Sequence, residues 1–422
     1  MGLILRASPE WLELVSLASC VGVLVCSLWV LGPIRGDALP GQESLRAATW
    51  RLIRVAAPAL LASSVLGLLV RVTEMSGYPI TGVLAALPTV LLHTHFGRTW
   101  TLRMAAVVAL SVTILAARRS RRVRLLEGVM LGFAFVVSAM DSASGHAANA
   151  GDFSAAELVD GLHLLAALVW GGGLLVLSWV VLPRLLEQGD LAARSIAGVA
   201  TRFSRVAGIG AGVIIVTAPY QACAHGGSVE GLASSPYGWT LLAKTLLFTV
   251  LLLLGAFNRY VSVPRLQAWA GVATTSRGTA ARLIAPALSL LVRDERGPLS
   301  AARFERTVRL ESILLVAVLL CAALLRHEVP ARHGGSHGHS PGAIGAGADR
   351  TPAPRCQRLL GHEPSGDSSG GLRLRRLGDV VVARGHDLDV EGHLHDGAGE
   401  RFRHEREVHR LDVVQVVAPP ER

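Results

Sequence analysis

Along the first 330 residues, long apolar runs alternate with short polar connections. Eight runs, at about 11–31, 50–72, 100–117, 125–141, 158–182, 203–222, 239–260 and 308–326, approach the roughly 20 residues that a helix needs to cross a bilayer. The pattern predicts an all-α, polytopic membrane protein with about eight transmembrane helices. Pro58 falls inside the second run, where neighbouring helices can re-satisfy the freed carbonyl, and Arg54 must reach back to the headgroups. The first run is too long for a removable signal peptide, and no basic cluster and small-residue cleavage site frame it. Beyond 330 the pattern stops. Residues 331–422 hold no spanning segment, are rich in Gly, Arg, Asp and His, and show no sustained period apart from short Val runs such as 380–382. A disordered tail is expected; an end read out of frame has the same composition. His333, His337 and His339 form a loose metal-binding tract within it.

The apolar runs also repeat. Arg51-Leu-Ile-Arg54-Val-Ala opens the second run, and Arg202-Phe-Ser-Arg205-Val-Ala opens the sixth. Phe96-Gly97 with Arg103 is echoed by Tyr237-Gly238 with Lys244. Arg124-Leu-Leu-Glu127 opens the fourth run as Arg309-Leu-Glu311 opens the eighth, and Pro33 follows the first as Pro183 follows the fifth. Four matches in one order predict two parallel four-helix repeats, at 1–145 and 146–330, related by an axis along the membrane normal. The tail at 331–422 stands outside them.

Charge sets the orientation. The chain is 51% hydrophobic yet carries a formal net charge of +10. Its arginines crowd alternate connections: Arg35 and Arg46, then Arg118 to Arg124, then Arg184 to Arg205, then Arg259 to Arg306. Connections 142–157 and 221–238 contain no Lys or Arg, although Arg98 interrupts the pattern in 73–99. The positive-inside rule then puts the arginine-rich loops in the cytoplasm and both termini outside a cytoplasmic membrane. Charge divided among membrane loops argues against nucleic-acid binding. No phosphate loop is present for nucleotide hydrolysis, and no motif marks an enzyme. Cys20, Cys26, Cys223, Cys321 and Cys356 form no C-x-x-C or haem-attachment motif.

With this topology, all six histidines before residue 330 lie on the outer side: His93, His95, His146, His163, His225 and His327. The densest motif is Asp160-Gly-Leu-His163, followed by Trp170-Gly-Gly-Gly173. Asp160 and His163 share a helix face, so the carboxylate either orients the imidazole, acts as a co-ligand, or bonds across a helix interface. The glycines allow close helix contact. Just upstream lie Met140, Asp141 and His146, a thioether, a carboxylate and an imidazole that together suit either oxidation state of copper; the alternative is a core Met, a helix-end Asp and a solvated His. His93 and His95 point apart on a helix and converge only if the segment between them is extended or turned. His225 sits in an outer loop, and His327 is expected at the wet end of the last run. Among other intramembrane charges, Glu127 and Glu311 suit the positive ends of their helices. Arg103 recurs in the repeat as Lys244, which either snorkels outward or pairs with an acid such as Asp160.

At these residues the chain resembles the CopD copper-resistance family of bacterial inner-membrane proteins. The matching pieces are Ser144-Gly-His-Ala147, Asp160-x-x-His163 with Trp170-Gly-Gly172, Pro236-Tyr-Gly238 with Lys244, Asn258-Arg259 with Pro264, and the Glu311 segment. The resemblance implies an eight-helix protein that moves copper ion across the cytoplasmic membrane or handles it at the outer face. It also implies a separate periplasmic copper-binding partner, and it gives most weight to His146, Asp160 and His163. The competing expectation is a di-haem b-type electron carrier, which needs facing axial histidines inside the bundle; only His163 lies clearly within a run.

A cysteine placed at Ser276 in a cysteine-free variant is expected to stay unlabelled by a membrane-impermeant reagent in intact cells. Labelling there would reverse the topology and dissolve the one-sided grouping of histidine.

Overall fold

The computed structural model describes residues 2–32, 42–77, 82–117, 120, 122–144, 154–225, 235–272 and 298–328, apart from the side chains of Asp190, residues 222–225 and Pro298; in the tail it describes only the backbone of three short strands. Among these residues, eight helices are long and apolar enough to cross a membrane. They are α1 (Leu3–Val30), α2 (Gln42–Ser76), α4 (His95–Ala117), α5 (Val123–Ala143), α6 (Ala155–Leu186), α7 (Ala193–His225), α8 (Pro236–Trp269) and α9 (Pro298–His327). The shorter α3 (Val83–His93) falls inside the 73–99 connection, its 11 residues too few to span. The helices run past the expected ends because hydropathy stops where arginines begin, whereas backbone hydrogen bonding does not.

The chain divides into two compact units, 1–67 with 102–346, and 68–101 with 347–422. In the first, α1 and α6 form the axis: 83% of the apolar window of α1 and 67% of that of α6 are buried, against 6% for α8. An apolar helix with no polar face is at home either inside a bundle or against lipid, and what separates these two fates here is small residues. A Cβ built on Gly22 of α1 would overlap the carbonyl of Gly172 of α6, and one on Gly172 would overlap the carbonyl of Ala18. The neighbouring glycines serve two more helices. A Cβ on Gly171 would stand 2.8 Å from Leu315 of α9, and one on Gly173 would stand 2.8 Å from the Phe203 ring of α7. Three consecutive glycines therefore let three helices close on α6, as dispersion-driven packing in lipid requires. Trp170 fills the space beside them, 3% exposed and edge-on to Phe248 at 5.9 Å.

Three helices loosen into π-helical turns toward their arginine-rich ends: Cys26–Val30 in α1, Leu177–Val181 in α6 and Asn258–Ser262 in α8. In α6 and α8 a proline, Pro183 and Pro264, enters the helix that follows. Two of these turns hold buried carboxylates. Ser27 donates to Glu127 Oε1 at 2.6 Å, and Asn258 Nδ2 donates to Glu311. The two glutamates follow similar segments, Arg124-Leu-Leu-Glu127 and Arg309-Leu-Glu311, but their partners differ in origin: Ser27 comes from α1 and Asn258 from α8. Most buried or half-buried hydroxyls elsewhere return their proton to the preceding turn of their own helix, as Ser63, Ser111, Ser138 and Thr201 do.

In the second unit, Leu68, Val72, Val83 and Val90 make a small apolar cluster with Phe96 and Trp100 packed against it, and Arg71 lies over the Phe96 ring. Thr94 breaks the chain between α3 and α4, and its hydroxyl accepts from the Gly97 N–H at 3.0 Å. In the tail, Arg373–Leu377, Val380–Arg384 and Val416–Val417 pair antiparallel. The expectation of disorder otherwise concerns residues outside the described ones.

Gly22→Val is expected to cost about 1–3 kcal/mol or to prevent assembly, because the methyls have only backbone to displace. Gly132→Val, where nothing lies within 4 Å, is expected to leave stability within about 0.5 kcal/mol. Denaturant unfolding of the two purified variants compares them.

Candidate functional site at the histidine-bearing end

Four charged side chains meet between α1, α4, α5 and α9. Asp141, in the last turn of α5, is 5% exposed; Glu13 and Arg103 are each 7% exposed. Arg103 Nη1 donates to Asp141 Oδ1 at 2.7 Å and lies 3.3 Å from Glu13 Oε1. Arg326, in the last turn of α9, donates through both terminal nitrogens to Asp141, at 3.1 and 2.5 Å. Ser64 of α2 donates to Glu13 Oε1 at 2.7 Å. Two carboxylates face two guanidiniums, so the formal charge cancels. Such a group is tolerated in a bundle only while it stays complete: removing one partner of a buried pair typically costs about 3–5 kcal/mol, since the other is left uncompensated.

The next residue along α5 turns to a different helix. Ser142 Oγ donates to Asp160 Oδ2 at 2.8 Å, and Gln221 Nε2 of α7 donates to Asp160 Oδ1, also at 2.8 Å. Ser154 caps α6 by accepting from the Glu157 N–H, which starts the helix one turn before Asp160. His163 is half-buried, and its Nδ1 is 2.8 Å from Thr217 Oγ1. The Thr217 hydroxyl donates to the Val213 carbonyl at 2.8 Å, in the same helix. With that proton committed, Nδ1 carries the hydrogen and donates to Thr217, and Nε2 keeps its lone pair. This tautomer follows from the hydrogen-bond arrangement. Asp160 and Arg326 are among the charges acting on Lys244, and Lys244 among those acting on His163, although Lys244 and Asp160 form no direct ion pair.

The other candidates are placed as follows. Met140 is half-buried beside Asp141 in sequence. His93 ends α3 and His95 begins α4, with Thr94 between them extended at φ −112° and ψ 152°, the backbone shape that lets alternate residues converge. His146 and the His225 side chain lie outside the described residues. Glu127 and Glu311 are buried at the opposite end, 5% and 3% exposed. His327 departs from the expected wet position: α9 continues to it, and its side chain is 5% exposed, 3.6 Å from Glu10 Oε1 on α1. Among the described residues, no group of three or more His, Cys, Asp or Glu is gathered closely enough to hold a metal.

Sequence reasoning passed over Glu13, Ser64, Ser142, Thr217, Gln221 and Arg326. Glu13 was detectable, being a carboxylate inside an apolar run. Thr217 and Gln221 stand four apart, on one face of α7, a weaker signal. Arg326 looked like an ordinary charge at the end of a span.

The arrangement defines a class: a polytopic α-helical membrane protein with a charge-balanced polar centre toward one end of its bundle. Residues 9–155 match the family model described as copper resistance protein D-like, N-terminal domain, and residues 197–325 match that of copper resistance protein D. The chain is 30% identical over 252 residues to the copper resistance protein D of Pseudomonas syringae pv. tomato, which covers 55% of this chain and 78% of that protein. It is also 30% identical over 172 residues to the copper transport protein CutJ of Bacillus subtilis (strain 168), covering 40% of this chain and 31% of CutJ. No solved structure matches. The chain belongs to the copper resistance protein D family. The names of these relatives point to copper resistance and transport rather than to catalysis.

Asp141→Ala is expected to lower unfolding stability by about 3–5 kcal/mol, because it strands Arg326 and leaves Arg103 only Glu13. The double variant Asp141→Ala with Arg326→Met is expected to recover part of that loss, with Arg103 left to Glu13. A double-mutant cycle of denaturant unfolding measures the coupling.

Proposed function

We propose that this protein carries copper ion across the cytoplasmic membrane, or handles it at the outer face, in copper homeostasis and resistance. In this reading the histidine-bearing end faces outward and receives copper from a separate periplasmic copper-binding protein. The observation that carries the reading is the held imidazole of His163, its Nδ1 2.8 Å from Thr217 Oγ1; with Nδ1 as donor, Nε2 is the nitrogen left for an ion. A metal-ligating histidine is held in this way, one nitrogen fixed by a neighbour and the other offered to the ion. Imidazole and carboxylate suit Cu(II), and the Met140 thioether suits Cu(I). His163 is the central ligand, joined by His146 and Met140, with Asp160 as either co-ligand or charge partner. His93, His95 and His225 serve as outer donors. Asp141, both of whose oxygens accept from guanidiniums, anchors the cluster beside the site instead of binding the ion.

His163→Ala is expected to abolish copper-dependent accumulation or tolerance at matched membrane protein level. Thr217→Val keeps the imidazole but removes its support, and is expected to weaken copper affinity about 10–100-fold. Cellular copper content and copper binding by the purified variants give the readout. Full activity in His163→Ala would take α6 out of the site, and a Soret band in the purified protein would favour haem over copper.

A further inference from the structure

At the opposite, arginine-rich end, a cavity of about 700 Å³ opens between the last turn of α1, the first two turns of α2 and the first turn of α5. Its base is the Ser27–Glu127 pair, its walls are Leu31, Leu45, Val123 and Leu125, and Arg46, Arg122 and Arg124 line it. Arg124 is held by a hydrogen bond to the Gly32 carbonyl at 3.2 Å, which fixes one guanidinium at the edge. A second groove of about 400 Å³ shares Arg46 and adds Trp50, Arg51 and Arg54, with Glu43 as its one acid.

We propose that this cavity is a seat for the headgroup of an anionic phospholipid. Three guanidiniums against one already bonded carboxylate give the lining a positive balance, which rejects a cation and suits a phosphate. Guanidinium forks pair with phosphate oxygens in two-point geometry. The walls are apolar, and Leu125 at the lip is 62% exposed, so a ligand with hydrocarbon beside its phosphate fits better than a free ion. The position also agrees: the cavity lies where α1 ends and where α2 and α5 begin, with Trp50 in the adjoining groove, and Trp is the side chain favoured at membrane interfaces. Positive-inside arginines on membrane proteins mostly lie along open loops; these three line a concavity between helices. Basic pockets between transmembrane helices on the cytoplasmic side are a recurring form of headgroup recognition.

The full-length protein, in mixed micelles doped with either phosphatidylglycerol or phosphatidylcholine, tests the proposal through retained lipid seen by native mass spectrometry. The wild type is expected to retain phosphatidylglycerol in preference to phosphatidylcholine. Arg46→Gln, Arg122→Gln and Arg124→Gln are each expected to weaken that preference roughly fivefold. Arg306→Gln, an exposed arginine on α9 away from the cavity, is expected to leave it unchanged. Monodisperse elution of each variant shows that the fold is kept. An Arg306→Gln effect equal to that of Arg122→Gln would reduce the preference to a diffuse basic belt. Inorganic phosphate that displaces the lipid, with the same dependence on the three arginines, would make the cavity a free-anion site. Either result overturns the proposal, as does unaltered retention in the three cavity variants.

Discussion

The backbone contact between Gly22 and Gly172 is the constraint on which the rest of the bundle depends. Lipid offers no hydrophobic gain for helix association, so two apolar helices meet in a bilayer only where they fit. The crossing fixes the relative heights of α1 and α6. Glu13 and His163 each stand nine residues before their crossing glycine, a rise of about 13 Å at 1.5 Å per residue. The charge cluster on α1 and the imidazole on α6 are therefore held at a common depth. Gly171 and Gly173 draw α9 and α7 to the same axis, and those helices bring Arg326, Thr217 and Gln221. Contact made with no side chain at all sets the positions of the polar ones.

Electrostatics then limits what that depth can contain. Asp141 accepts from two guanidiniums, and Arg103 is shared between two carboxylates, so no member of the group is left to polarise the surrounding hydrocarbon. Asp160 instead accepts from the neutral donors Ser142 of α5 and Gln221 of α7. Adjacent residues of α5 thus serve separate ends: Asp141 closes a balanced cluster, and Ser142 steadies the Asp160 carboxylate.

Much of the fold was legible because a bilayer imposes a length and a polarity that hydropathy reads directly. The eight spans and the close contacts around Trp170-Gly-Gly-Gly173 follow from local sequence. What failed to show was pairing at a distance. Glu13 stands out as a carboxylate in an apolar run, but its partners come from α2 and α4. Thr217 reads as an ordinary membrane threonine bonding its own helix, which it does, while also supporting an imidazole 54 residues away. His327 is expected at the wet end because the apolar run stops at 326, although α9 continues through it. The candidate donors were legible only as residue types, since they come from segments whose convergence no local pattern encodes.

The salt link between Asp141 and Arg326 has an evolutionary side. Asp141 lies within the stretch matching the N-terminal family domain, and Arg326 stands one residue past the stretch matching the C-terminal one. Arg326 is an expensive residue in a membrane unless the other half supplies Asp141, whereas Asp141 also has Arg103 in its own half. A gene that exchanged one half with a distant relative would inherit an unmatched charge in the bilayer, unless the donor carried the same pair. A change at 141 takes the carboxylate from a guanidinium of the other half, whereas a change at 326 leaves Asp141 to Arg103 alone.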